Sequence, residues 1–348
     1  MKDRRMLSPA VLALAAGLAF SGCSAGGSHA SPALPETQGA TRMAKSGVGN
    51  LPHYNLKLTN ITSAGVSSGG AMATQFHYAH SANVKYEAQV AGVPYFCSQG
   101  NLVGADNCML GIFAENLPGL EAEAVSFGNA GEIDSTSNLK GSKGYFYSGL
   151  LDYVVAHQSV RNSEAELQHF GGTTIDNYTT ASGHGWISPN GPLPCPVTIT
   201  PYILTCGIDP EQTFLSYFYG ALNPKSTNPQ GSLIQFNQNT YAPGGNALAI
   251  NLDNTGWIFV PQSCANGTAC NLVVVFTGCL ASQIEIGTLL MTDGNVDNWA
   301  DTNNLVVLYP QLSVGFGSCW DFYGYTGPNF AFQSGPQIQA VWNMVQAL

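Results

Sequence analysis

From residue 56 onward the chain alternates short apolar runs with stretches rich in Gly, Asn, Ser and Pro, and the periodicity of those runs predicts the elements. Residues 56–66, 88–93, 144–147 and 173–178 read as strands, the last on its β-branched content. In the C-terminal third, residues 257–260, 272–276 and 305–309 are continuous apolar runs, the pattern of strands buried on both faces. Helices are predicted over 69–79, from the capping box Ser163-Glu164-Ala165-Glu166 to Phe170, from Asp209-Pro210 to Ala221, and over 337–348. Strands alternating with helices give an α/β fold with a mostly parallel central sheet flanked by helices. No repeat and no second linker follows Gly49, so a single domain over 51–348 is expected.

The first fifty residues follow a different pattern. Lys2, Arg4 and Arg5 precede an apolar run from Met6 to Phe20 that is too short to cross a bilayer comfortably, which is the layout of an export signal. Phe20-Ser21-Gly22-Cys23 is similar to the lipobox of bacterial lipoproteins, in which the cysteine is acylated. The expected layout is a signal peptide over 1–22, lipidation and membrane attachment at Cys23, and a flexible Gly/Ser/Ala/Pro-rich tether over 23–50. Cleavage after Ala30 is the competing reading; both export the protein, as an outer-membrane lipoprotein or a secreted one.

Composition narrows the class. Only 9% of the 348 residues are charged and 45% are hydrophobic, against roughly 25% charged in an average soluble domain. That excludes a solvated disordered chain. With 11 Lys plus Arg against 21 Asp plus Glu, no basic stripe remains for nucleic acid. Setting Cys23 aside leaves an even set of cysteines: Cys97 with Cys108, Cys195 with Cys206 and Cys264 with Cys270 are close in sequence, and Cys279 and Cys319 remain. Disulfides in an oxidising compartment are favoured over zinc, since no C-x-x-C or histidine pairing stands at ligand spacing. Connectivity stays open, because eight cysteines allow about 105 pairings.

The chemistry begins at Gly65-Val66-Ser67-Ser68-Gly69, a G-x-S-x-G between a predicted strand and a predicted helix. A serine hydroxyl needs an imidazole to take its proton and a carboxylate to fix the imidazole tautomer. In the order Ser, acid, His, the candidates are Asp152 in Gly149-Leu150-Leu151-Asp152 and His184 in Gly183-His184-Gly185-Trp186, each on a loop after a predicted strand. The other histidines fall in the tether, before the first strand, or at helix ends. A nucleophile strand normally lies mid-sheet, yet little chain precedes this one. The missing neighbours are the runs at 257–260, 272–276 and 305–309, and Thr277-Gly278-Cys279 follows one of them where an oxyanion loop belongs. A circularly permuted α/β-hydrolase is therefore expected, with the amides of Ser68 and Cys279 as oxyanion donors.

Gly65-Val66-Ser67-Ser68-Gly69-Gly70, Val260-Pro261-Gln262-Ser263-Cys264, Phe276-Thr277-Gly278-Cys279 and Ser318-Cys319-Trp320-Asp321-Phe322-Tyr323-Gly324-Tyr325-Thr326-Gly327 carry a family resemblance. The chain from about Leu56 to its end resembles the single-domain, circularly permuted poly(3-hydroxybutyrate) depolymerases, and the Cys-Trp-Asp segment is more specific than the elbow. The resemblance implies Ser67 as nucleophile, Asp152 as acid, His184 as base, Ser68 and Cys279 as the oxyanion hole, and Trp320 lining the crevice for the polyester. Three departures stand out. Thr277 replaces the family's His before Gly-Cys, Gly149-Leu150-Leu151-Asp152 replaces a more polar turn, and no separate binding domain for crystalline polymer follows.

The expected substrate is a polyester or short-chain ester, hydrolysed by a monomer without metal or organic cofactor. A polymer with no charge suits a site poor in Lys and Arg. The same triad would serve another secreted carboxylesterase acting on feruloyl or lipid esters, and a non-catalytic surface lipoprotein would share only the scaffold.

Overall fold

The computed structural model describes residues 48–348. The expected signal peptide, Cys23 and the tether up to residue 47 lie outside the described residues. Gly49 and Asn50, assigned to the tether from sequence, already belong to the domain: Gly49 pairs with Phe236, and Asn50 accepts a hydrogen bond from Thr240 Oγ1.

Strands and helices follow in the order β1 (Leu56–Val66), α1 (Ser68–Ala79), β2 (Val84–Val90), α2 (Leu102–Leu110), α3 (Leu117–Ala130), β3 (Lys143–Tyr147), α4 (His157–His169), β4 (Thr173–Asn177), β5 (Trp186–Ile187), β6 (Leu193–Pro194), β7 (Ile203–Thr205), α5 (Pro210–Tyr219) and β8 (Ser232–Asn237). The chain ends with β9 (Thr255–Val260), α6 (Gln262–Ala265), β10 (Cys270–Phe276), α7 (Gln283–Ile286), α8 (Leu289–Asp293), α9 (Val296–Ala300), β11 (Leu305–Tyr309) and α10 (Pro336–Ala347). One sheet has the order β4-β3-β2-β1-β10-β11-β9-β8, and β5, β7 and β6 form a small second sheet. From β4 to β11 all neighbours in the large sheet are parallel; β9 runs antiparallel to both β11 and β8.

The first strand in sequence thus sits in the middle of the sheet, with the late strands completing its other side. The continuous apolar runs explain this placement: Leu272–Phe276 of β10 and all of β11 are buried, so both faces must be covered. Helices do this from both sides. In β2, Glu87 accepts from Thr74 and pairs with His77 of α1, whereas the adjacent Tyr86 turns to the other face and stacks on Phe218 of α5. The C-terminal helix α10 joins α1, with Trp342 stacked on His80 at 4.0 Å.

Two expectations about helices change. The Ser163 capping box lies inside α4, which starts six residues earlier at His157; Ser163 Oγ donates to Ser159 O within the helix, and Glu166 Oε2 accepts from the Tyr95 amide. A side-chain pattern that caps a first turn also fits a polar helix interior, and here the helix is entered from the Asp152 loop. The predicted cap at Asp209 holds, its Oδ1 accepting from the Gln212 amide. Helices α2 and α3 contain Gly and Pro and bury few residues, so sequence propensity disfavours them; their places are set by tertiary contacts. The three pairs close in sequence are bonded, Cys97–Cys108, Cys195–Cys206 and Cys264–Cys270, and so is the remaining pair, Cys279–Cys319.

Candidate active site

Ser67 stands between the last residue of β1 and the first of α1, with φ 60° and ψ −125°. That backbone is costly for a non-glycine residue and persists only when its surroundings impose it. The surroundings are the two glycines. A Cβ on Gly65 would lie 2.1 Å from the Gly69 carbonyl oxygen, and one on Gly69 would lie 2.3 Å from the carbonyl oxygen of Phe276. Strand and helix approach so closely that only hydrogen fits at either position. The Ser67 amide donates to Val90 O (2.9 Å), which ties the elbow to β2.

The candidate groups follow the C-terminal ends of parallel strands, where α/β sheets place their sites: Ser67 after β1, Asp152 after β3, His184 after β4 and Cys279 after β10. His184 Nδ1 lies 2.8 Å from Asp152 Oδ2, and the Asp152 and His184 side chains are 1% and 7% exposed. Asp152 Oδ1 accepts from the amides of Val154 (2.8 Å) and Val155 (3.0 Å), so the carboxylate acts as an acceptor and puts the imidazole proton on Nδ1. Nε2 is then the nitrogen available to a hydroxyl. The two loops are stitched together by Leu150 N donating to Thr180 O, Leu151 N donating to Ser182 O, and a 2.7 Å contact between the Tyr147 and Ser182 hydroxyls. Behind them, the His184 amide donates to Thr198 Oγ1 (2.9 Å) and the Gly183 amide to Cys195 O, on the loop closed by Cys195–Cys206.

On the other flank, Ser68 is the first residue of α1, so its amide has no carbonyl within the helix to donate to and carries part of the positive end of the helix dipole. Cys279 is bonded to Cys319, and the next amide, Leu280 N, donates to Gly317 O (3.0 Å). Thr277 is buried, and its hydroxyl has no hydrogen-bond partner.

A cavity of about 210 Å³ brings Ser67, His184 and Cys279 to one wall, with apolar walls from Met109, Trp186, Tyr202, Leu280 and others. No Lys or Arg lines it. A smaller cavity of about 20 Å³ on the elbow is walled by Ser67, Ser68, Cys279, Ala71, Met109 and Phe322, among others. Trp320, assigned by the resemblance to the crevice wall, is 0% exposed, its ring meets Phe276 edge-on at 5.1 Å, and it lines neither of these cavities. Phe322, two residues on, reaches the smaller cavity. Met109 and Tyr202 escape sequence reasoning, because Met109 lies in a helix that the apolar periodicity did not mark and Tyr202 in the turn before β7. Near these residues in sequence, Ile112 and Phe113 follow Met109, Leu150 and Leu151 precede Asp152, Ile199 follows Thr198 and Leu280 follows Cys279; all six are exposed.

No family model matches the chain. It is 35% identical over 318 residues to the poly(3-hydroxybutyrate) depolymerase of Delftia acidovorans, covering 87% of this chain and 63% of that protein, so the chain spans less than two thirds of that relative's length. It is 32% identical over 322 residues to the polyhydroxybutyrate depolymerase of Talaromyces funiculosus, covering 86% of this chain and 92% of that one. Among solved structures, it is similar to the PHB depolymerase of Penicillium funiculosum, with a TM-score of 0.77, 29% identity, and 86% of this chain and 98% of that one covered. The same values hold for a PHB depolymerase carrying a serine-to-alanine substitution and complexed with an R3HB trimer.

Proposed function

The chain belongs to the polyhydroxybutyrate depolymerase family, and from that premise we propose that it is an exported serine esterase that cleaves poly(3-hydroxybutyrate) or a related short-chain polyester into oligomers and hydroxyacid. The observation that carries this reading is the Asp152–His184 contact beside the cavity that Ser67 enters from its strained elbow. We read the sheet order, in which β8 to β11 complete the far side of β1, as a circularly permuted α/β-hydrolase.

The reaction runs in two halves. His184 Nε2 takes the proton of Ser67 Oγ as the oxygen attacks the ester carbonyl, and Asp152 holds Nδ1–H and stabilises the imidazolium. The amides of Ser68 and Cys279 donate to the oxyanion, a contribution of about 10²–10³ in rate for each such donor. The imidazolium then protonates the departing alkoxide, and a chain with a free hydroxyl leaves an acyl group on Ser67. Water, deprotonated by His184, attacks that acyl group; the acid leaves and Ser67 regains its proton. No step calls for a metal or organic cofactor. The apolar lining of the cavity, with no Lys or Arg, supports an apolar polymer as substrate. Four disulfides support an oxidising compartment outside the cytoplasm. Attachment through Cys23 is a further part of this proposal, tested by palmitate incorporation that Cys23→Ala abolishes.

The deciding experiment is product analysis on poly(3-hydroxybutyrate) film with the wild type and Ser67→Ala side by side, together with labelling by a fluorophosphonate. Soluble hydroxyacid or oligomers and a covalent adduct on Ser67 are expected from the wild type alone. A folded wild type that takes no label overturns the enzyme reading; one that takes label and hydrolyses short esters but leaves the film intact points to another secreted carboxylesterase.

A further inference from the structure

The Ser318–Gly327 segment is the most specific stretch of the chain, yet it holds no member of the Ser-His-Asp set, and Trp320 does not line a cavity. Its contacts give it a different task. Cys319 is bonded to Cys279, and the next residue's amide, Trp320 N, donates to Ser68 Oγ at 3.2 Å. Two consecutive residues therefore hold the two residues whose amides face the oxyanion in the reading above. The Trp320 ring adds a third contact, on Phe276 at the base of the Cys279 loop.

This dipeptide is itself fixed by Asp321. The Asp321 side chain is buried, and its two oxygens take up a run of backbone donors: Oδ1 accepts from the amides of Tyr323 (3.1 Å), Gly324 (2.6 Å) and Tyr325 (3.1 Å), and Oδ2 from the amide (2.7 Å) and hydroxyl (2.6 Å) of Thr326. A carboxylate wrapped by five donors folds its own loop around itself. The Asp321 backbone is pinned from both sides as well: Gln75 Nε2 of α1 donates to its carbonyl and its amide donates to Gln337 Oε1 of α10, each at 2.9 Å. Tyr325 closes the turn by donating its hydroxyl to Cys319 O (2.7 Å).

We propose that Asp321 is a positioning residue for the oxyanion hole, acting through Cys319 and Trp320 to set the Ser68 and Cys279 amides at one fixed separation. The proposal rests on the serine-esterase reading and on those two amides as its oxyanion donors. A donor displaced by a fraction of an ångström still binds ground-state ester but stabilises the tetrahedral oxyanion less, so the loss falls on kcat rather than KM.

The test uses the full-length protein with Ser68→Ala, which keeps the Ser68 amide but deletes the acceptor for Trp320 N, and Asp321→Asn, which replaces one wrapped oxygen by a donor. On p-nitrophenyl butyrate, each variant is expected to lose about tenfold in kcat with KM within about twofold of wild type. The second-order rate of fluorophosphonate labelling, whose phosphoryl oxygen uses the same donors, should fall in proportion. Ser68→Ala leaves one buried amide unpaired and should stay folded with a melting temperature lowered by a few degrees, so that if Asp321→Asn fails to fold, Ser68→Ala decides alone. Wild-type kcat and labelling in a folded Ser68→Ala, or a raised KM with kcat unchanged, overturns the proposal. A wild type that neither takes label nor turns over the ester overturns instead the serine-esterase reading, and this inference with it.

Discussion

The two flanks of Ser67 are built by opposite strategies. On the acid–base flank, residues 149–152 and 180–184 lie on loops after adjacent strands and are joined by short-range backbone hydrogen bonds, with one local disulfide loop behind them. On the oxyanion flank, Ser68, Cys279, Cys319 and Asp321 come from opposite ends of the chain and meet through one disulfide and a few side-chain to backbone bonds. The first flank is a local structure that fails residue by residue. The second exists only when the whole sheet has closed, so its precision depends on distant contacts.

The sharpest test of the acid–base flank is Asp152→Asn. The change keeps the shape but lets the imidazole adopt the wrong tautomer, and kcat on p-nitrophenyl butyrate should fall about 10⁴-fold with the fold intact by circular dichroism. Near-normal turnover would move the acid to another carboxylate and dissolve the contrast. One layer further out, Thr198→Val removes the acceptor of the His184 amide while preserving volume, and should cost about tenfold in kcat. An unchanged rate would mean that the backbone bonds alone fix His184.

Two buried groups farther from Ser67 give a smaller effect, in pH response. Behind the acid–base flank, burial pushes the Glu115 carboxyl up to about 6, while hydrogen bonds from Asn162 and Ser159 of α4 pull the other way. A raised carboxyl binds more protons folded than unfolded, so its contribution to stability is full below about 4.5 and is lost as pH rises through about 6. Thermal melts of Glu115→Gln across that interval should show a shallower decline than wild type. At the end of α1 away from Ser68, His80 is stacked on Trp342 of α10, and burial lowers its pKa from 6.5 to about 3. It binds fewer protons folded than unfolded, so stability is full above 6.5 and is lost as pH falls toward 3. His80→Phe should weaken that acid loss; identical melting profiles would show that His80 does not carry it.

The parts of the molecule that could be read from sequence were those encoded locally. Continuous apolar runs marked β10 and β11 because strands buried on both faces tolerate little else, and the glycines around Ser67 marked the elbow because no side chain fits there. The meeting of Asp152 and His184 followed from strand order alone. What failed was whatever depends on neighbours far away in sequence. The Ser163 capping box was sound as a local pattern but fell inside α4. Helices α2 and α3 have cap residues, Asn101 and Gly111 on one and Pro118 and Gly131 on the other, but bury too little to show an apolar face. Edge strand β8 is only partly buried, so its apolar run is weak. The crevice role of Trp320 came from the family resemblance alone; its own contacts are with Phe276 and Ser68.

The entry of the chain into the domain has a mechanical consequence. Gly49 pairs in parallel with Phe236 on edge strand β8, the Asn237 amide donates to Gly49 O (2.8 Å), Asn50 takes a bond from Thr240, and the Leu51 amide donates to the Tyr241 hydroxyl (2.7 Å). These contacts precede Leu56, where β1 begins its run to the elbow. Tension transmitted through the chain before residue 48 is therefore borne first at the rim of the sheet, as shear along β8, before it can stretch β1. The clamp works as a strain relief, like the grip where a cable enters a plug, and it keeps a pull applied before residue 48 from being felt at the strained serine.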